Sequence, residues 1–349
     1  MSAERLPRDV RLWRHGRWSV LYAPRALAVG AVLALLIGLS ATLVMTQGRM
    51  DIGPGDILAA VLGTSDGGLR DHIILNIRLP RVLTALFVGV ALGVSGAVFQ
   101  SVSRNALGSP DVIGFTTGAA TGALGQIMLF GPDPLRVALA AVAGGVLTAV
   151  LVYALARQGG VVGSYRLILT GIGVGAVLTA LNGLMLVRGD LDDAVMANLW
   201  LAGSLHARTW GHVWPLVAGT IALVPVVLAG ARALRMIEMG DDMASQLGIR
   251  VERVRLGMMF AAVILAALAV GAAGPIAFIA LAAPQLAARL TRGSGMPVMT
   301  AGLMGGFLLL AADLLTQALP LAVSVPIGRM TGIVGGIYLV WLLTRTRRL

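Results

Sequence analysis

The sequence predicts an all-α, polytopic membrane protein, and three observations support this class. Hydrophobic residues make up 57% of the 349 residues and charged residues only 12%, with a mean hydropathy of +0.88. A water-soluble domain needs more polar surface than this composition supplies. Apolar runs close to the roughly 20 residues that a helix needs to cross a bilayer recur along the chain. The 46 glycines are typical of membrane helices whose backbones approach closely.

Ten apolar segments are interpreted as membrane spans, separated by glycines, prolines and polar turns. The predicted spans cover residues 26–46, 80–102, 113–130, 136–156, 166–187, 210–230, 256–274, 276–290, 298–318 and 326–344. Residues 1–25 are predicted to form a basic N-terminal segment, and residues 26–349 a single transmembrane domain. The first apolar run is too long for the core of a signal peptide, so we expect it to be retained as the first span.

The placement of the arginines orients the chain. All 27 basic residues are arginine, and most lie at the N-terminus or in alternate connectors. The positive-inside rule puts these connectors, and both termini, in the cytoplasm. Because the arginines lie between apolar runs, we expect membrane lipid as a partner and exclude nucleic acid.

Several chemistries are excluded by the residues that the chain lacks. Without cysteine it forms no disulfide, thiolate metal site or iron–sulfur cluster. Its four histidines do not have the spacing of a helical metal site, so no metal is expected. Without lysine the phosphate-binding loop GxxxxGK[ST] cannot form, and no cofactor is expected on this chain. We also find no grouped nucleophile and base that would indicate a membrane enzyme.

The segment GDDMASQLGI, residues 240–249, is a polar stretch in an apolar chain. Its two adjacent acids are expected to cap a short helix, and Gly248 to end it in a left-handed turn. Met243 and Leu247, four residues apart, share one helix face. A helix this short needs packing to be stable. It is therefore either a solvated connector packed on its own bundle or a helix whose apolar face enters a partner's groove.

Polar residues inside or at the ends of spans have two interpretations each. Arg78 and Arg81 stand at the outer mouth of the second span, where arginines either snorkel to lipid headgroups or bind carboxylates of an external partner. Asp313 in the ninth span is either a functional carboxylate or a hydrogen-bonded packing group. Asn182 in the fifth span either joins helices or belongs to a transport pathway.

Seven stretches resemble, in the same order, the FecCD-type permeases of bacterial ABC importers for iron-siderophores, haem and vitamin B12. They are RLPRVLTALFVGVALGVSGAVFQ, RNALGSPDVIGFTTGA, WLAGSL, GDDMASQLGI, GPIAFIALAAPQLAARL, ADLLTQ and VPIGRMTGIVGGIYLVWLLTR. The resemblance runs from about residue 26 to the C-terminus. The last stretch is most similar to ferric-enterobactin-type permeases.

This resemblance implies a ten-helix permease with short coupling helices and the type II importer fold of the vitamin B12 permease. The implied partners are a second permease subunit, two cytoplasmic ATPases that hold ATP and Mg²⁺, and an extracytoplasmic binding protein. The chain is then a permease in the bacterial cytoplasmic membrane and not an enzyme. A ferric-siderophore and a heterodimer are favoured, with haem or vitamin B12 as alternative cargo. An ATPase-independent secondary transporter is the rival class, although it would normally offer more intramembrane carboxylates than Asp313.

The resemblance also assigns candidate site residues. The coupling segment covers about residues 236–255, and its ATPase-coupling residues are Gly240, Asp241, Asp242, Met243, Ala244, Leu247 and Gly248. Docking of the binding protein is assigned to Arg78, Arg81 and Arg329. Arg329 is included because Gln317 occupies the place of a further docking arginine in the vitamin B12 permease. The translocation path is assigned to Asn182, Gly332, Gly335 and Gly336, and these glycines are alternatively helix-packing contacts.

Overall fold

The computed structural model describes residues 11–345, with gaps at 16–17, 49, 66, 159–160, 163, 189–190, 294–296 and 319–324. The helices are α1 Pro24–Thr46, α2 Pro54–Leu62, α3 Leu69–Ile73, α4 Leu79–Ser103, α5 Phe115–Phe130, α6 Pro134–Ala156, α7 Ser164–Arg188, α8 Leu191–Leu201, α9 Trp210–Glu238, α10 Asp241–Gln246, α11 Val251–Ala273, α12 Ile279–Thr291, α13 Val298–Ala318 and α14 Ile327–Arg345. A π-helical turn, Ile74–Arg78, joins α3 to α4. Two antiparallel hairpins pair β1 Arg11–His15 with β2 Trp18–Tyr22, and β3 Arg157–Gln158 with β4 Val161–Val162.

Each predicted span coincides with a separate helix, namely α1, α4, α5, α6, α7, α9, α11, α12, α13 and α14. Within the described residues, 7 helices are long and apolar enough to cross a membrane on their own. The shortest of the others, α12, has 13 residues. At about 1.5 Å per residue it covers only about 20 Å. The non-helical residues 274–278 lengthen this segment, and such backbone is tolerated at membrane depth where protein buries it, as at Ile276.

Two helices extend further than predicted at the end that carries GDDMASQLGI. α9 continues to Glu238 and α11 starts at Val251, whereas the predicted spans stopped at 230 and started at 256. The prediction ended both spans where arginines begin, because charged side chains leave the hydrocarbon. The helical hydrogen bonds nevertheless continue into these arginine-containing segments. The two projecting ends hold α10 between them.

The sequence analysis placed α2, α3 and α8 in connectors, because these helices lack a span-length apolar run. The stretch GPGD, residues 53–56, was expected to be one of the turns between spans, but it begins α2. Pro54 takes the first helical position, where its missing N–H is not needed. The Gly53 N–H donates a hydrogen bond to Asp56 Oδ2 at 3.0 Å. The all-α class therefore describes the spans, with one small hairpin before α1 and another between α6 and α7.

The central helix of the bundle is α4, which packs against α9, α11, α12 and α13. Buried residues make up 78% of its apolar stretch, compared with 17% in the peripheral α1. Glycines allow this close packing. A Cβ at Gly89 would lie 2.3 Å from the Gly305 carbonyl oxygen, and one at Gly93 would lie 2.2 Å from that of Ala301. The backbones of α4 and α13 are therefore in direct contact, which only small residues permit.

We expect Gly96→Ala to destabilise the protein, because a Cβ there would lie 1.7 Å from the Ala280 carbonyl oxygen of α12. Such overpacking costs about 1–3 kcal/mol, and thermal unfolding of the detergent-solubilised protein measures it. Gly125→Ala in α5 is the matched control, since a Cβ there meets nothing within 4 Å. Equal effects of the two variants would contradict the close contact.

Candidate functional site

Helix α10 lies at one end of the bundle, between two glycines with positive φ. Gly240 has φ +127° and Gly248 has φ +81°, a backbone conformation that side chains disfavour. The predicted left-handed ending at Gly248 is therefore confirmed. The predicted cap is wrong, because Gly240 is the N-cap and no side chain caps the helix. Asp241 and Asp242 instead lie in its first turn, where their negative charges interact favourably with the positive end of the helix dipole.

Asp241 is held by arginines from two other parts of the chain. Nη2 of Arg255 donates to both carboxylate oxygens at 2.9 Å. Arg104, directly after α4, donates to the same carboxylate. Arg255 also donates to Glu252 at 3.0 Å, and the Tyr153 hydroxyl of α6 donates to Glu252 at 3.0 Å. We call the four charged residues the Asp241 clasp; it ties α10 to α11 and to the end of α4, and Tyr153 extends the contact to α6.

The predicted apolar face of α10 is exposed. Met243 is 54% exposed and Leu247 60%, whereas Ala244 is fully buried. The helix is therefore anchored by Ala244 and the clasp, and two large apolar side chains are left facing outward. A cleft of about 370 Å³ lies beside it, lined by α4, α9 and α12 and including Arg104 and Glu238.

At the opposite end of the bundle, Arg81 and Asp313 form a buried ion pair. The Arg81 Nη2–Asp313 Oδ1 distance is 2.7 Å and the Nε–Oδ2 distance is 3.1 Å. Only 1% of the Asp313 side chain is exposed. Gln317 Nε2 donates to Asp313 Oδ2 at 3.1 Å. Asp313 is thus a hydrogen-bonded group in a bidentate pair, the stronger form of ionic contact.

The sequence analysis singled out Arg81, Asp313 and Gln317 separately but did not pair them. The first two are 232 positions apart, and only the packing of α4 on α13 brings them together. No local pattern carries that information. The sole signal was compositional, an acid inside a span and an arginine at a span end.

The three docking candidates differ in their surroundings. Arg78 donates to the Met45 carbonyl and, at 2.9 Å, to the Met50 carbonyl, which ties the π-helical turn to the end of α1. Arg81 is bound to Asp313. Arg329 is exposed at the start of α14.

A cleft of about 550 Å³ near the Arg81–Asp313 pair includes His206 and Arg208 in its lining. Nε of Arg208 donates to the Ser204 carbonyl at 3.1 Å. Burial lowers the pKa of Arg208 to about 10, and no described acid forms an ion pair with it. Burial, and then the positive charge of Arg81, lower the pKa of His206. This cleft was not predicted from the sequence, because its lining residues come from separate segments of the chain.

The pathway candidates lie on α7 and α14. Asn182 is 7% exposed, and its Oδ1 has no hydrogen-bond partner among the described residues. A Cβ at Gly332 or Gly336 would meet nothing within 4 Å. One at Gly335 would lie 2.3 Å from Phe278. Gly335 is therefore a packing contact, and the other two glycines face open space.

This chain does not bring the pathway candidates together. α7 packs mainly on α5, α6 and α8, whereas α14 packs on α12 and α13. Both helices expose large apolar side chains, among them Leu169, Val177, Leu181, Ile333 and Ile337. Each helix therefore has an apolar face that the described part of the chain leaves exposed.

We expect Asp313→Asn to be strongly destabilising, because it leaves the Arg81 guanidinium without its counter-charge. Breaking a buried pair in this way costs about 3–5 kcal/mol. Arg70→Gln is the control, since it removes an exposed pair with Asp56 at 3.6 Å. Such a pair contributes at most about 1 kcal/mol.

Thermal unfolding of the solubilised protein measures both effects. Arg81→Gln combined with Asp313→Asn should recover part of the loss, because neither charge is then left alone. A double variant as unstable as the sum of the single variants would show that the two side chains do not act on each other.

Comparison with known sequences identifies relatives along nearly the whole chain. The model of the FecCD transport family matches residues 32–345. The chain is 44% identical over 304 residues to the ferric enterobactin transport system permease protein FepG of Escherichia coli (strain K12), covering 87% of this chain and 92% of that protein. It is 34% identical over 333 residues to the iron(3+)-hydroxamate import system permease protein FhuG of Bacillus subtilis (strain 168), covering 92% and 98%.

A solved structure supports the fold. It shows an inward-facing conformation of a metal-chelate type ABC transporter and matches with a TM-score of 0.79 at 24% identity, over 92% of this chain and 99% of that chain. At this identity the likeness shows the fold alone, and it confirms the predicted permease fold. The family match reaches from α1 to α14. The chain therefore belongs to the FecCD transport family, and it is a multi-pass membrane permease subunit and not an enzyme.

Proposed function

We propose that this permease moves a ferric-siderophore inward across the bacterial cytoplasmic membrane as part of an ABC importer. The observation that carries the proposal is the 44% identity to a ferric enterobactin permease. The cleft that holds Arg208 supports an anionic chelate as cargo, because its cation has no described acidic partner. Its volume of about 550 Å³ lies within the roughly 300–1,000 Å³ of small-molecule sites.

The proposed assembly pairs this chain with an unlike second permease subunit. The uncovered apolar faces of α7 and α14 are the surfaces that a second permease would cover. Asn182, Gly332 and Gly336 would then line a path between the subunits, with Gly335 excluded because it packs on Phe278. Movement of one subunit against the other would expose this path alternately to each side.

Helix α10 is the proposed coupling element, at the cytoplasmic end together with both termini. Met243 and Leu247 would enter a groove on one of two ATPases, which bind ATP and Mg²⁺. The Asp241 clasp supports this role. Arg104 directly follows α4 and Arg255 lies on α11, so a displacement of α10 is passed to two helices of the core.

Leu247→Asp should abolish ATP-driven uptake, because it buries a charge in the ATPase contact. Ser245→Asp is the matched control, an exposed position of the same helix outside the apolar face. The measurement is ATP-dependent uptake of a ferric tris-catecholate by the reconstituted importer, with co-purification of the ATPase.

We expect the parent and the Ser245 variant to transport and to retain the ATPase, and the Leu247 variant to do neither. Uptake without any ATPase would overturn the proposal in favour of a secondary transporter. The ion pairing of Asp313 already counts against that rival, since it occupies the one carboxylate of the predicted spans. Uptake of haem or vitamin B12 in place of the chelate would change the cargo and leave the coupling intact.

An extracytoplasmic binding protein is the proposed partner at the opposite end, and Arg329 is its best-placed docking residue. Arg78 and Arg81 stay docking candidates, although their guanidinium groups are bound within the chain. Arg329 is exposed in the first turn of α14.

Arg329→Glu should weaken docking about fivefold, the equivalent of roughly 1 kcal/mol for an exposed charge pair. It should also reduce the salt dependence of the affinity. Arg136→Glu, exposed in the first turn of α6, is the control and should change neither. Binding-protein affinity in reconstituted membranes at two salt concentrations measures both. An unchanged affinity for the Arg329 variant would remove this residue from the interface.

A further inference from the structure

A cleft of about 390 Å³ lies where α1 begins and α12 ends, and three arginines line it: Arg11, Arg25 and Arg292. Arg25 Nε donates to the Leu290 carbonyl at 2.7 Å. This bond holds the guanidinium at the carboxyl end of α12, and no described residue accepts a hydrogen bond from its two terminal nitrogens. The cleft lies at the same end of the bundle as α10, since it includes Thr291 of α12, and Ala288, about one turn earlier in that helix, lines the cleft beside α10.

The charge of this cleft is unbalanced. Its lining contains no acidic residue, and the described residues form no ion pair with any of the three arginines. By contrast, Arg81, Arg104 and Arg255 each have a carboxylate partner. Cations that converge on one concave site raise the local concentration of anions. Guanidinium groups bind phosphate oxygens through paired N–H donors. The ligand chemistry is therefore a phosphate.

The position of the cleft favours a phosphate that belongs to a lipid. α1 is a membrane span that starts at Pro24, inside the cleft lining. From there its surface is apolar and exposed, with Leu27 61%, Leu35 73% and Leu39 55% exposed. A headgroup in the cleft would place its acyl chains along this surface. Basic pockets between helices at the cytoplasmic face are a recurring form of anionic-lipid site.

We propose that this cleft binds the phosphate headgroup of an anionic phospholipid, with the acyl chains lying along α1. The lipid bridges the peripheral α1 to α12 through arginines that have no acidic partner among the described residues. Arg292 and Arg11 supply binding, and Arg25 both binds and caps α12.

The test compares lipid retention by the detergent-purified full chain in native mass spectrometry. The probes are phosphatidylglycerol, phosphatidylcholine and inorganic phosphate. We expect bound phosphatidylglycerol, little phosphatidylcholine, and no displacement of the lipid by inorganic phosphate. Arg292→Gln should lower phosphatidylglycerol retention about fivefold, and adding Arg11→Gln should lower it about fivefold again, as expected for basic side chains near an anionic surface.

The matched control is Arg232→Gln with Arg235→Gln, two exposed arginines near the end of α9 that do not line the cleft. Arg25 is left unchanged, because its bond to Leu290 supports α12. The melting temperature of each variant separates loss of lipid from loss of folding. Equal losses in the control, or equal retention of phosphatidylcholine, would overturn the proposal. Displacement by inorganic phosphate would show a free-anion site and would also overturn it.

Discussion

Direct backbone contact between α4 and its neighbours is the constraint on which both ends of the molecule depend. Glycines on α4 and α13 remove the side chains that would hold the helices apart, and the two backbones then have little freedom to slide. α4 carries Arg81 near its start and Arg104 directly after its end. Because α4 cannot slide along its axis, Arg81 is held at Asp313 and Arg104 is held at Asp241.

The ion pairs at the two ends differ in the way that their proposed roles require. Asp313 is almost completely buried, whereas 40% of the Asp241 side chain is exposed. A buried bidentate pair is costly to break and holds its helices rigidly. A partly solvated one is weaker and more readily rearranged, because water screens its charges. The Asp241 clasp thus leaves α10 more freedom to move than the Arg81–Asp313 pair leaves to the helices at the other end.

Local chemistry was predictable from the sequence where it depends on neighbouring residues. The helices at the ten predicted spans, the short helix at Asp241, its left-handed end at Gly248 and the shared face of Met243 and Leu247 all follow from hydropathy, helix spacing and glycine. The missed elements, α2, α3 and α8, are helices without a span-length apolar run. The wrong cap at α10 has a related cause, because the acid expected to cap the helix binds two distant arginines instead.

The sequence by itself determined that this is a multi-helix membrane protein and which polar segment interrupts it, because bilayer thickness and helix periodicity act on contiguous residues. That it is a permease was implied by its resemblance to the FecCD family. Only the tertiary structure showed that Arg81 pairs with Asp313. It also showed that Gly335 packs against another residue while Gly332 faces open space, and that Arg208 lines a cleft. Those contacts join residues far apart in the chain. Their existence depends on how closely helix backbones approach, which no local pattern specifies.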